Sequence, residues 1–177
     1  TTGVPYGEFE YGVSLGPMIR ETIPLALPLF FIPLVLNSYL LCLLALGERS
    51  RSVFVRVPVV AATVVAVDLV LDPAAVALGF WEYTASGYYG VPWLNYAGWM
   101  LSATVATLLI DTAFSRTALL ERLGGCRYIL DDMVSFVLLW GVINAAYGAW
   151  IPVAIAVLFA GALVFVDRFD FPLSVPS

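Results

Sequence analysis

From Thr22 to Leu46 the sequence reads TIPLALPLFFIPLVLNSYLLCLLAL, without one charged side chain. An α-helix rises 1.5 Å per residue, so about twenty apolar residues cross the hydrocarbon of a bilayer, and a run like this reads as a transmembrane helix. Four more apolar runs follow, at about Val53 to Leu71, Leu94 to Phe114, Tyr128 to Tyr147 and Trp150 to Val166. Together they predict an all-α, polytopic transmembrane bundle of about five spans, with residues 1–177 forming a single integral membrane domain in the cell membrane. Composition agrees: 62% of residues are hydrophobic and 12% charged, against roughly a quarter charged in soluble domains. Pro24, Pro28 and Pro33 lack amide protons, so the first helix should be kinked or open near its start. Pro73 should end the second helix at Asp72. The chain opens on Thr1 and a loop-like stretch, TTGVPYGEFEYG, so further sequence is expected upstream.

The charges divide by end. All eight basic residues are arginine, there is no lysine, and thirteen acids leave a net charge of −5. That balance argues against a nucleic-acid partner and matches proteins of high-salt cytoplasm. Arg49, Arg51 and Arg56 flank the first connection, Arg116, Arg122 and Arg127 the third, and Arg168 lies in the tail, so these ends should face the cytoplasm. The opposite side then receives the N-terminal stretch TTGVPYGEFEYGVSLGP, the loop from Pro73 to Trp93, and the short turn AYGAW. Histidine is absent, and Cys42 and Cys126 lack CxxC spacing, so neither a disulfide framework nor a metal site is expected. Carboxylates, Tyr, Ser, Thr and Asn form the chemical inventory.

The segment DLVLDPAAVALGFWEYTASGYYGVPWLNYAGW, Asp68 to Trp99, gathers three carboxylates and many rings without a basic residue. Asp68 and Asp72 lie one helical turn apart and point the same way. At that depth an aspartate pairs with a partner, faces a wet cavity or keeps its proton, because a bare charge in hydrocarbon costs several kcal/mol. The ordinary reading is a cap at Asp72 and an interhelical bond at Asp68. The sharper one is a neutral carboxylic acid that protonates a weakly basic substrate. Trp81, Tyr83, Tyr88, Tyr89, Trp93, Tyr96 and Trp99 read either as an interfacial belt or as the lining of a pocket for a lipid-soluble ligand. Their π faces would stabilise a transient cation there. Acid and aromatics together suit carbocation chemistry on an isoprenoid. Asp111, Asp131 and Asp132 are expected to pair structurally with arginines such as Arg116 and Arg127, and Asn144 to bond between helices. Gly79, Gly87, Gly90 and Gly98 should serve turns and close packing.

The stretches TGVPYGEFEYGVSLGP, DLVLDPAAVALGFWEY and YYGVPWLNYAGW, in that order, resemble the carotenoid hydratases of the membrane carotenoid-biosynthesis family, including the bacterioruberin-type enzymes of halophilic archaea. The motifs cover about residues 2 to 102, and the rest matches mainly in hydropathy. The resemblance implies addition of water to the terminal double bonds of a long linear carotenoid, with no redox cofactor and no metal. It also implies a longer chain with additional N-terminal helices. Read as chemistry, an acid protonates the less substituted alkene carbon, a tertiary cation forms, and a positioned water attacks it. Asp68 or Asp72 is the candidate acid, with the other carboxylate or Glu82 positioning water and Glu8 and Glu10 as second candidates. Asn95 would orient water, and Trp81, Tyr83 and Trp99 would shield the cation. Tyr88, Tyr89, Trp93 and Tyr96 complete the candidate substrate-binding set. The expected partners are the carotenoid, the lipid bilayer and, at the protein level, a second copy or other membrane carotenoid proteins. Two other classes stay open. DLVLD has the DxxxD spacing by which membrane prenyltransferases hold magnesium and a diphosphate, and a non-enzymatic carotenoid-binding subunit would need the rings without the acids.

Overall fold

The computed structural model describes residues 3–14, 16–19, 23–25, 27–123 and 130–167. It is a helical bundle with a small β cover at one end. Its helices are α1 (Leu27–Leu46), α2 (Val53–Ala77), α3 (Trp93–Ala113), α4 (Arg116–Leu123), α5 (Asp131–Ala146) and α6 (Trp150–Asp167), with a 3-10 turn at Gly47–Arg51. Short strands β1 (Phe9–Tyr11), β2 (Met18–Ile19), β3 (Ile23–Pro24) and β4 (Trp81–Tyr83) pair antiparallel as β1 with β4 and β2 with β3. The strands and α4 add to the purely α-helical expectation. Three apolar stretches have the length and composition to cross a membrane: Leu27–Arg51, Val53–Ala77 and Trp93–Ala113. The 16 residues of α5 and the apolar part of α6, Trp150–Phe165, are shorter than the spans predicted there.

The centre of the bundle is α2, which packs against α1, α3, α5 and α6. Its buried residues, among them Val60, Ala61, Val64, Val67, Val70, Leu71, Ala74 and Ala75, cover one broad face of the helix, with Pro58 and Ala62 exposed on the other. A face that wide meets several neighbours at once, and its alanines let their backbones approach. The same logic joins α5 to α6, where a Cβ at Gly141 would meet the Cβ of Ala156 at 2.8 Å. The outer faces are apolar as well. Leu29, Phe54, Leu109, Leu139, Leu158 and Phe165 are all exposed, a surface that suits hydrocarbon and would aggregate in water.

Two predicted boundaries move. The first helix starts at Leu27, with Pro24 in β3 before it and Pro33 inside it; its predicted beginning at Thr22 lies outside the described residues. The second helix does not stop at Asp72 but runs through Pro73 to Ala77. Proline removes one amide donor, a loss tolerated close to a helix end. The actual stop is Gly79, at φ +73°, where Gly79 N–H donates to the Val76 carbonyl and Phe80 N–H to that of Ala75. That pattern is a glycine C-terminal cap in the Schellman arrangement. Similarly α5 begins at Asp131, and Tyr128, its predicted start, lies outside the described residues.

The two ends of the bundle are held together by different interactions. At one, Arg56 is buried and bonds both carboxylate oxygens of Asp111, while its Nη1 donates to the carbonyls of Ser50 and Arg51. Tyr39 adds a third donor to Asp111 at 2.7 Å. This knot ties α1, the 3-10 turn, α2 and α3 together. Asp111 is thus structural, but its partner is Arg56 rather than Arg116 or Arg127; Arg127 lies outside the described residues. Asp132 takes a bond from Asn37 and one from its own Met133 amide, so its structural role also proceeds without arginine. Asn144 does bond between helices, from Nδ2 to the Val70 carbonyl at 2.7 Å. At the other end, β1–β4 pairing joins the N-terminal stretch to the α2–α3 loop, and the Ile151 amide on α6 donates to the Tyr89 hydroxyl.

Removing one partner of a buried ion pair strands the other charge, which costs roughly 3–5 kcal/mol, whereas replacing both by apolar groups is close to neutral. Arg56→Gln and Asp111→Asn should each lower the thermal unfolding midpoint of the detergent-solubilised protein strongly. The double variant Arg56→Met/Asp111→Leu should recover most of that loss; equal damage in all three would show that the pairing itself does not matter.

Candidate functional site

The β1–β4 register sets Phe9 opposite Tyr83, Glu10 opposite Glu82 and Tyr11 opposite Trp81. Successive side chains on a strand point to opposite faces, so the four rings share one face and the two glutamates the other. The rings face inward, where all four line a cavity of about 250 Å³. Its remaining walls are Tyr6 from the N-terminal stretch, Leu27 and Phe31 of α1, Leu71 and Asp72 of α2, Phe80 after the Gly79 cap, Asn95 and Trp99 of α3, and Trp140 of α5. Glycine permits this closure at two places. A Cβ at Gly12 would lie 2.2 Å from the Gly79 carbonyl oxygen, and one at Gly98 would lie 2.6 Å from the Tyr6 ring. Tyr6 is further held by a hydroxyl–hydroxyl bond to Ser102 and an edge contact with Trp99 at 5.9 Å.

Polar chemistry enters the cavity at one spot. Asp72 is 1% exposed and takes hydrogen bonds at Oδ2 from Asn95 Nδ2 and, at 3.1 Å, from the Tyr83 hydroxyl. The same Asn95 nitrogen donates to Oδ2 of Asp68 at 3.1 Å. Asp68 is fully buried, one turn back along α2, and does not line the cavity. Its Oδ1 has no hydrogen-bond partner. The described ion pairs are Arg51–Glu48 and Arg56–Asp111, so among the described residues no cation pairs with either aspartate. Tyr83 stays a donor, because burial, followed by the charges of Asp72 and Asp68, holds its phenol well above the usual tyrosine range. Burial also raises Tyr11 on the cavity wall.

The candidates named from sequence therefore divide. Asp72, Trp81, Tyr83, Asn95 and Trp99 converge on the cavity, and Asp68 joins them through Asn95. Glu82, Glu10 and Glu8 are exposed, with Glu82 and Glu10 side by side on the outer face of the two-stranded sheet; the structure does not bring them to the cavity. Tyr88, Tyr89, Trp93 and Tyr96 form their own ring cluster, with centroids 4.9–6.1 Å apart, outside the cavity lining. Burial pushes the Tyr88 phenol up to about 12. Trp93 is largely exposed and fits the interfacial-belt reading. The wall residues that sequence reasoning did not single out are Tyr6, Phe9, Tyr11, Leu27, Phe31, Leu71, Phe80 and Trp140. Alternation in FEY and WEY was the available signal for Phe9 and Tyr11, whereas Trp140 sits in an apolar run with nothing to mark it.

Across 173 residues the chain is 58% identical to the bisanhydrobacterioruberin hydratase of Haloarcula japonica, an alignment covering 98% of this chain and 59% of that protein. The chain thus spans about three fifths of the length of the curated relative it matches. No solved structure matches it. Residues 1–163 match the family described as carotenoid biosynthesis protein, and the chain belongs to that family.

Proposed function

We propose that the protein is a multi-pass enzyme of the cell membrane that adds water to the terminal double bonds of a linear carotenoid of the bisanhydrobacterioruberin type. The observation that carries this reading is Asp72: one carboxyl group, held by neutral donors and paired with no cation among the described residues, in the wall of a cavity otherwise built almost wholly of rings and aliphatic side chains. The cavity is slightly smaller than the roughly 300–1,000 Å³ that enclose a drug-sized ligand, so it takes the end of a polyene and leaves the length of the chain in the bilayer.

Both donors to Asp72 reach Oδ2, so Oδ1 is the oxygen that carries the proton. Asp72 gives that proton to the less substituted carbon of the terminal alkene, and the π electrons form the new C–H bond. The positive charge settles on the tertiary carbon. The faces of Trp81, Trp99 and Trp140 surround it, each contributing about 1–2 kcal/mol when desolvated. Water adds its oxygen to the cation and returns a proton to the Asp72 carboxylate, which restores the acid. The net change is addition of one water, with nothing oxidised or reduced. Asn95 and Tyr83 stabilise the carboxylate while the cation exists, since hydrogen bonds to an ionised acceptor are the strong ones.

Asp72→Asn keeps the shape and removes the proton, and should lower hydration by about 10²–10⁴-fold, the usual worth of a general acid. The assay is accumulation of the anhydro precursor in a carotenoid-producing host, together with label uptake from heavy-oxygen water by the purified full-length protein. Unchanged label uptake would remove Asp72 from the mechanism. Pigment bound without turnover in the unmutated protein would favour a binding subunit, and diphosphate release would favour prenyl transfer. Tyr83→Phe loses one donor to the carboxylate and should slow the reaction about tenfold or more. Tyr83 remains protonated past the ordinary tyrosine value, so that loss should be a constant factor between about pH 6 and pH 9. Glu10→Gln and Glu82→Gln should leave turnover within about twofold and stabilise the sheet slightly, because like charges directly opposite on paired strands repel.

A further inference from the structure

The mechanism uses Asp72 and leaves open why a second carboxyl group lies buried behind it. Buried polar atoms are nearly always hydrogen-bonded, and exceptions call for an explanation. Asp68 Oδ1 is one exception, and the hydroxyl of Tyr96, itself 5% exposed, is another. One lacks a donor and the other an acceptor. Tyr96 follows Asn95 on α3, whose amide already bridges both aspartates of α2. The other unpartnered donors fit less well. The indoles of Trp81 and Trp140 belong to the wall of the cavity, from which Asp68 is absent, Arg116 opens α4 beyond the opposite end of α3 from Asn95, and the ring of Tyr88 packs on that of Tyr96, 6.1 Å between centroids.

We propose that Tyr96 is a positioning residue, whose hydroxyl donates to Oδ1 of Asp68 in the working enzyme and so fixes which of the two aspartates holds their shared proton. With that bond made, Asp68 accepts at both oxygens, from Asn95 at Oδ2 and Tyr96 at Oδ1, and donors at both oxygens favour its ionised form. Asp72 accepts twice at one oxygen and keeps the other. Two close buried carboxyls do not both ionise at rest, so in the resting enzyme the proton resides on Asp72, the group that meets the substrate, and Asp68 is its anionic neighbour. While Asp72 is a carboxylate, the substrate cation beside it supplies the compensating charge. Tyr96 and Asp68 touch no reacting atom. The proposal rests on the hydratase reading for its consequence in turnover, but the location of the proton stands apart from it.

Infrared spectroscopy of the purified full-length protein tests that location directly, through the carbonyl band of a protonated carboxyl group. In the unmutated protein the band should vanish in Asp72→Asn and persist in Asp68→Asn. In a Tyr96→Phe background Asp72→Asn should instead leave part of the band behind, because Asp68, freed of its second donor, then takes up the proton. Loss of the band in Asp68→Asn alone, or no change in its assignment on Tyr96→Phe, overturns the proposal. In the hydration assay Tyr96→Phe should lower kcat about tenfold, the worth of one bond to a charged group, with KM within about twofold. It should have no further effect once Asp68→Asn is present, a coupling that a merely structural tyrosine would not show. If the infrared assignments hold and no variant or parent hydrates a carotenoid, the proton placement survives and the hydratase reading fails.

Discussion

Two carboxyl groups one turn apart on the central helix, fully buried and paired with no cation among the described residues, set the terms for this end of the molecule. Ionised together they would be expelled from a low-dielectric interior, so their presence dictates neutral donors around them and a proton between them. Asn95 and Tyr83 supply the donors from two different elements. Tyr83 can reach Asp72 because the Gly79 cap turns the chain back and β1 pins β4 over the helix ends. The strand pairing is therefore part of the acid's environment, and it also carries the rings that exclude water from it.

Helix α2 carries two buried acidic arrangements, solved in opposite ways. Near its start Arg56 meets Asp111 in a two-pronged ion pair and also donates to the Ser50 and Arg51 carbonyls. Near its end Asp68 and Asp72 share neutral donors. The first arrangement serves as a rivet between α1, α2 and α3. The second, in the proposed mechanism, keeps a transferable proton, the property an acid catalyst needs. Both are built on the same rigid helix, which fixes the position of the acid relative to the walls of the bundle.

Much of this was legible in the sequence because two periodicities are robust. Apolar runs separated by arginine-rich turns marked the helices and their common ends, and i, i+4 spacing placed Asp68 with Asp72. The rest failed for identifiable reasons. Pro73 read as a stop, but the stronger signal was Gly79, whose left-handed conformation terminates the helix two residues after Ala77. Glu8, Glu10 and Glu82 looked suitable for the site because they lie near it along the chain. Strand alternation, not proximity in sequence, decides which side chains turn inward, and in FEY and WEY it turns the rings in and the acids out. Trp140 arrives from a helix distant in sequence, and only packing could reveal it.

That sorting of side chains has a chemical consequence. A tertiary cation formed beside a row of carboxylates would be captured as an ion pair or lose a proton to the nearest base, and elimination would reverse the hydration. The β1–β4 sheet keeps two glutamates on its outer face and offers the cavity aromatic faces, which stabilise positive charge without accepting a proton. Asp72 is then the one carboxyl group within the described cavity wall, so in the proposed reaction the acid that creates the cation is also the base that receives the proton of the attacking water. The balance between hydration and its reversal is left to how water reaches the same oxygen that began the reaction.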